Sequence, residues 1–363
     1  MPLRDWVFSL FGRRARTEDS ISRTRAAATH IIILDGTMSS LVDGRETNAG
    51  LTYKLLQEAG ASASLTVHYE AGIQWRDWRG TWDVMTGRGI NRQIKRAYGV
   101  LASRYRPGDQ IVLVGYSRGA YAVRSLAGVI DTVGLVTANH ATVRGIELAY
   151  RHYRTGGRNK FADAFRREFC HADVQIEAVA VWDTVKALGL RLPILWRWGT
   201  ETHNFHNHAL GPHVRNGFHA VALDETREAY APVMWECPLD WQGNMEQVWF
   251  KGSHGDVGGQ LGDYFACRPL ANIPLVWMLD RLEMCRVPLP DGWRARFEQD
   301  ITAPSVGSWR GWSKIFWRRK RRIIGRCRSE AIHHTVDAAK YQRAFAPDFA
   351  TAATPPRQAQ ASS

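Results

Sequence analysis

Ser117 lies in the pentapeptide Gly115-Tyr116-Ser117-Arg118-Gly119, and a serine flanked by glycines at that spacing can act as a nucleophile. A serine hydroxyl is a weak nucleophile near neutral pH. Such chemistry therefore needs a base to take its proton and a carboxylate to orient the base. The pentapeptide follows the apolar run Gln110-Ile111-Val112-Leu113-Val114 and opens a helix-like stretch from Ala120 to Ala127. Strand, tight turn and helix is the setting that can hold a strained serine with its hydroxyl projecting. The helix N-terminus behind it favours negative charge developing on the reacting atoms.

Two later apolar runs end in residues that could complete the chemistry. Ile176–Trp182 runs into Asp183-Thr184-Val185, and Gln247–Phe250 into Lys251-Gly252-Ser253-His254-Gly255-Asp256-Val257-Gly258-Gly259. Ser117, Asp183, His254 is the order in which α/β-hydrolase chains present nucleophile, acid and base. With 13 histidines in the chain, His254 is singled out only by its strand and its glycine-rich loop. Asp183 has rivals in Asp224 and Asp256; the apolar strand directly before Asp183 favours it, and Asp224 is expected to pair with Arg227. An oxyanion needs backbone N–H donors, expected from Arg118 and from Gly36 or Thr37. Asp35 is a candidate for orienting that loop, and Arg124, Asp224 and Asp256 are further candidate supporting residues.

These residues need a scaffold that gathers strand ends. His30–Leu34 and Leu65–Tyr69 read as strands, with a helix between them carrying Leu51, Leu55 and Leu56 and capped by Thr47 or Asn48. From Gly89, Ile90, Ile94, Tyr98 and Leu101 share one helical face, closed by Pro107-Gly108. Alternation of strands and helices predicts a mostly parallel α/β sheet flanked by helices, which binds ligands at the carboxyl ends of its strands. Residues 141–170 and 186–216 are expected to be a helical cap or insertions. The chain is expected to divide into a basic aromatic extension over 1–27, the α/β-hydrolase domain over 28–300, a basic aromatic helical segment over 301–345, and a disordered tail over 346–363.

At 363 residues, with a net charge of +13, the chain can bury a large core and attract anionic partners. Its basic runs, Arg13 to Arg16 and Arg318 to Arg326, lie beside Trp6, Phe8, Phe11, Trp309, Trp312, Phe316 and Trp317. That mixture suits peripheral contact with an anionic membrane better than a nucleic-acid groove. No apolar run reaches the roughly 18 residues of a transmembrane helix, and no signal peptide is evident, so a cytoplasmic location is expected. The five cysteines show no C-x-x-C spacing and read as reduced thiols. No cofactor is expected. Leu34-Asp35-Gly36-Thr37 resembles a phosphotransferase loop, but Ile33 stands where its nucleophilic aspartate would be. His203, His206, His208 and His213 have no carboxylate or cysteine at metal-binding spacing, so no metal site is expected.

With these segments assembled, the chain resembles an α/β-hydrolase family that includes phospholipase effectors of bacterial type VI secretion. The matching residues are Asp35-Gly36-Thr37, Gly72-Ile73, Gly108-Asp109, Gly115 to Tyr121 with Arg124, Val181 to Val185, Phe218 to Glu225, and Val248 to Gly259. The resemblance implies an α/β-hydrolase fold and a serine esterase or lipase mechanism, with Ser117 and His254 as nucleophile and base. The chain is expected to be too short for the effectors' additional membrane-associating domain. Trp75, Trp78 and Trp82 are candidates for a pocket mouth. The expected activity is hydrolysis of a small-molecule or lipid ester. The alternatives are another acyl bond (amide, thioester or acetyl ester) and a non-catalytic binding protein on the same fold.

Overall fold

The computed structural model describes residues 26–60, 64–72, 88–157, 159–185, 209–309, 318–346 and 358–359. Among them, strands β1 (Thr29–Leu34), β2 (Leu65–Glu70), β3 (Gln110–Tyr116), β4 (Ile176–Trp182), β5 (Val214–Ala222), β6 (Asn244–Phe250), β7 (Glu330–His333) and β8 (Gln358–Ala359) form one sheet. Its order is β2-β1-β3-β4-β5-β6-β7-β8, and every pair is parallel. The expected α/β sheet is therefore present.

Continuous apolar runs such as Ile31-Ile32-Ile33-Leu34 fit a sheet covered on both faces. Alternate residues point to opposite sides. Ile32, Leu34, Ile111 and Leu113 enter one core cluster, whereas Ile31, Ile33, Val112 and Val114 enter another. The first cluster is closed by helices α2 (Arg88–Arg104) and α3 (Ser117–Val133), the second by α1 (Asn48–Glu58) and α7 (Arg268–Met284). Helix α1 starts where the sequence indicated, with Thr47 Oγ1 accepting from Gly50 N at 2.9 Å.

The insertion between β3 and β4 carries α4 (Val143–Arg154) and α5 (Lys160–Phe169). Ala149, Tyr153 and Phe165 enter the α3 side of the core, and Tyr153 lies against Gly128. Gly128 is eleven residues beyond Ser117, or roughly 16 Å at helical rise. This insertion thus braces the far end of α3. The other expected insertion lies mostly outside the described residues, as do Trp75, Trp78, Trp82 and the 1–25 extension.

Three expectations are corrected. The basic segment is not helical where described in its first half: residues 318–320 run extended beside 226–228, with Lys320 N donating to Thr226 O at 2.7 Å and Glu228 N to Arg318 O at 3.0 Å. It continues into β7, whose Glu330–His333 joins the sheet, and among the segment's described residues helical structure is confined to the short 3-10 turn Ala338–Ala344. Strand β5 was not anticipated, because Arg215, Asn216, Gly217 and His219 interrupt its apolar pattern. Its polar groups are satisfied laterally: Asn216 Nδ2 donates to Glu177 O, and His219 Nε2 accepts from Thr184 N. Finally, Cys237 and Cys327 form a disulfide with Cα atoms 6.4 Å apart, although the spacing suggested free thiols. They precede β6 and β7, and parallel pairing brings both leads to the same sheet end. Of the expected tail, Gln358–Ala359 pairs with β7 as β8.

Candidate active site

The turn that bears Ser117 is built by the backbone. Ser117 has φ 57°, a left-handed conformation uncommon for a residue with a side chain. Strand β3 can reverse into α3 this tightly because of its glycines. A Cβ on Gly119 would lie 2.0 Å from Leu34 O, so only glycine lets α3 abut the end of β1. Gly115 is crowded by Ala120 in the same way.

Asp183 and His254 arrive from two other strand ends. Asp183 follows β4 at φ 38°, and His254 opens the short helix α6 (His254–Gly258) after β6. His254 Nδ1 lies 2.6 Å from Asp183 Oδ2, and Nε2 lies 2.9 Å from Ser117 Oγ. With the carboxylate accepting from Nδ1–H, Nε2 is left as an acceptor for the serine hydroxyl. Asp183 and His254 are almost wholly buried, and Ser117 is 6% exposed. Burial pushes the His254 imidazole below its ordinary value, against the pull of Asp183. It stays neutral near pH 7 and able to take a proton. Burial alone would raise the Asp183 carboxyl, but the Arg322 guanidinium and the His254 hydrogen bond hold it well below the usual carboxylate range.

Aromatic rings fix the imidazole plane. Tyr116 stacks on His254 at 4.9 Å and its hydroxyl donates to His254 O at 3.2 Å; Tyr230 meets the ring edge-on at 4.8 Å. Gly258 makes room for Tyr116, whose ring atoms would fall 1.9 Å from a Cβ there. The His254 N–H donates to Glu225 Oε2 at 3.2 Å, and Glu225 pairs with Arg227 at 2.6 Å.

The remaining candidates separate by location. Asp35 is buried beside the turn, where its oxygens accept from Gly36 N, Thr47 Oγ1 and Tyr69 Oη at 2.6, 2.6 and 2.8 Å. Burial outweighs these bonds and raises its carboxyl to about 6. Gly36 N is engaged by Asp35, which leaves the Thr37 N–H as the other of the two expected donors. Arg118, at the start of α3, has an N–H with no partner inside the helix. Arg124 donates to the carbonyls of Val233 and Met234 and lies over Trp235 at 4.7 Å, tying α3 to the loop that bears Tyr230. Asp256 forms a capping box with Ser253 and accepts from Ser305 Oγ and Val306 N. Asp224 accepts from Gly252 N at 2.7 Å and does not take up Arg227, which is already paired with Glu225. Neither Asp224 nor Asp256 is a hydrogen-bond partner of His254 among the described residues. His203, His206 and His208 lie outside those residues, and no metal-binding cluster occurs within them.

Residues 29–281 match the family described as T6SS, Phospholipase effector Tle1-like, catalytic domain. The chain belongs to this family. A curated relative, the uncharacterized protein YEL023C of Saccharomyces cerevisiae, is 26% identical over 238 residues, which cover 58% of this chain and 33% of that protein. A solved Tle1 effector bound to the VgrG spike of the type 6 secretion system shares 17% identity over 65% of this chain and 51% of its own, with a TM-score of 0.38. An uncharacterized protein from Pseudomonas aeruginosa shares 16% identity over 82% of this chain and 51% of its own, with a TM-score of 0.43. The chain thus spans about half the length of these structures.

Arg322, Tyr230 and Glu225 escaped sequence reasoning as site residues. Glu225 sat inside a matching segment, and Tyr230 had no signal. Arg322 was hidden in a basic run, where Ile323-Ile324 was the cue that this stretch turns inward. No described helix is long and apolar enough to cross a membrane.

Proposed function

We propose that the protein is a serine hydrolase of carboxylic esters, with lipid esters as its substrate class. The observation that carries this reading is the continuous hydrogen-bonded chain from Asp183 through His254 to a strained Ser117. Ser117 Oγ attacks the acyl carbon while His254 Nε2 takes its proton, and the carbonyl π electrons move onto oxygen. The oxyanion is met by the N–H groups of Arg118 and Thr37. Collapse breaks the bond to the alcohol oxygen, which leaves with the proton from His254. Water then attacks the acyl-serine with His254 again as base, releasing the acid and restoring Ser117. Asp183 accepts from Nδ1–H throughout and stabilises the transient imidazolium. These steps require no cofactor.

Membership of a phospholipase-effector family supports the lipid assignment. Contact with an anionic membrane is the narrower part of the reading. It is supported by Arg318, Lys320 and Arg321, which face solvent, near Trp309, which is 58% exposed and lies under the Arg319 guanidinium. The test is a fluorophosphonate probe followed by mapping of the adduct, with turnover of phospholipids compared with short soluble esters. A single adduct on Ser117, lost in Ser117→Ala, together with preference for phospholipid, is the expected result. A folded protein that takes up no probe would instead favour a non-catalytic binding role.

A further inference from the structure

Arg322 lies outside the span that matches the family, yet it reaches the centre of the site. It is 7% exposed, and its fork grips both oxygens of Asp183: Nη1 to Oδ1 at 2.5 Å and Nη2 to Oδ2 at 2.9 Å. The remaining terminal hydrogens go to Ala222 O at 2.8 Å and Tyr230 O at 2.6 Å. Ala222 N also donates to Asp183 Oδ1 at 3.0 Å, so the carboxylate is held from three directions, with His254 on the fourth. An arginine fork fixes both the plane and the charge of a carboxylate, which a lysine cannot do.

The segment carrying Arg322 is itself anchored. Just downstream, the buried Glu330 carboxylate accepts from Gly325 N, Arg326 N, Cys327 N and Trp249 Nε1, at 2.8 to 2.9 Å. The Cys237–Cys327 disulfide adds a covalent tie to the lead into β6. Upstream, residues 318–320 pair with 226–228. Asp183 meets a guanidinium held from both sides.

We propose that Arg322 is a positioning residue for the reaction: it locks Asp183 in the plane of His254 and partly neutralises it, so that His254 remains a neutral base under mildly acidic conditions. This rests on the serine-hydrolase reading. Among the described residues, the other charged or titratable groups facing the pair are Tyr116, Tyr230, Glu225 with Arg227, and, on the β5 side, His219 with Arg124 nearby. Glu225, Arg227 and Arg124 keep their own partners when Arg322 is replaced, whereas Tyr230 loses the donor to its carbonyl oxygen. Without the guanidinium, the buried Asp183–His254 pair carries an uncompensated negative charge, so the imidazole takes up its second proton, on Nε2, at higher pH.

The experiment is NMR titration of the His254 imidazole in the full chain and in Arg322→Gln and Arg322→Lys, alongside kcat and KM from pH 5 to 8 on the preferred ester. In Arg322→Gln, the His254 titration is expected to move up by about one pH unit, and kcat to fall roughly 10- to 100-fold with KM little changed. The acid limb of kcat/KM should follow the titration. Arg322→Lys should keep the titration near that of the parent while losing part of kcat, because it retains charge but not the fork. Guanidinium ion should restore part of the activity of Arg322→Ala and none of that of Ser117→Ala.

A folded Arg322→Gln protein with unchanged titration and kcat within twofold would overturn the proposal. So would a loss of activity that tracks unfolding alone, with the folded fraction keeping the parental pH profile. If the glutamine variant does not fold, Arg322→Lys decides: parental kcat there would remove the positioning role. The titration needs no turnover, so a parent inert to the fluorophosphonate probe would sink the hydrolase reading while leaving the Arg322–Asp183–His254 coupling measurable.

Discussion

The two ends of the Ser117–His254–Asp183 chain are held by different physics. At the serine end the constraint is backbone: glycines pressed against neighbouring carbonyls within a few residues of Ser117. The aspartate end shares the positive φ, but its carboxylate is held by side-chain charge, supplied by an arginine 139 residues away in sequence. Backbone constraint leaves its mark in a contiguous motif. Charge compensation leaves none, because any buried arginine in a favourable place could serve.

Under the proposed mechanism, replacing Ser117 or Asp183 should give the largest effects. Ser117→Ala is expected to lower kcat by about 10⁴- to 10⁶-fold and Asp183→Asn by about 10³- to 10⁴-fold. Asp224→Asn and Asp256→Asn, assayed on the same ester, should stay within about tenfold of the parent, since neither carboxylate reaches His254. A collapse of kcat in Asp224→Asn with normal folding would break the assignment of the acid to Asp183.

The backbone end is probed by Gly119→Ala. Its methyl would meet Leu34 O and Asp35 O at 2.0 and 2.5 Å, neither of which can yield without moving β1. A loss of about 3 kcal/mol in urea unfolding is expected, at the upper end of what overpacking costs.

The aspartate end should instead show itself in the pH dependence of stability. His219, whose Nε2 accepts from Thr184 N beside Asp183, is pushed down to about 3 by burial, then by Arg124. Since its folded value lies below the ordinary 6.5, the unfolded chain takes up a proton first as pH falls. Stability contributed by the neutral ring is therefore full above pH 6.5 and is lost progressively towards pH 3. The slope for this one group is about 1.4 kcal/mol per pH unit. Denaturant midpoints between pH 7 and 5 should fall less steeply in His219→Gln than in the parent. An unchanged slope would mean that His219 titrates alike in both states.

The smallest effect is expected on the outer face of the arginine-bearing segment. Neutralising Arg318, Lys320 and Arg321 together should leave hydrolysis of a soluble ester within about twofold, as surface substitutions usually do. It should also weaken binding to anionic vesicles at low salt. Equal vesicle binding by the triple variant would remove this face from the membrane reading. The contrast with Arg322 would show one basic run serving two purposes on its two sides.

Ser117, the order of its partners and the parallel α/β layout were legible because each depends on local rules. Apolar runs make strands that are buried on both faces, glycines permit the tight turn, and residues directly after parallel strands share one edge of the sheet. Those rules singled out Asp183 and His254, and the structure brings both within hydrogen-bonding distance of one another. They did not reveal β5, whose polar residues are satisfied only by its neighbours, nor the Cys237–Cys327 pair, which depends on β6 lying beside β7. They also misjudged the basic segment, where Arg318 and Arg322 are alike in sequence but one faces water and the other Asp183. A residue's chemistry is written in its type. The partner that compensates a buried charge is fixed only when distant segments pack, since the cost of burying an arginine depends on what it meets there.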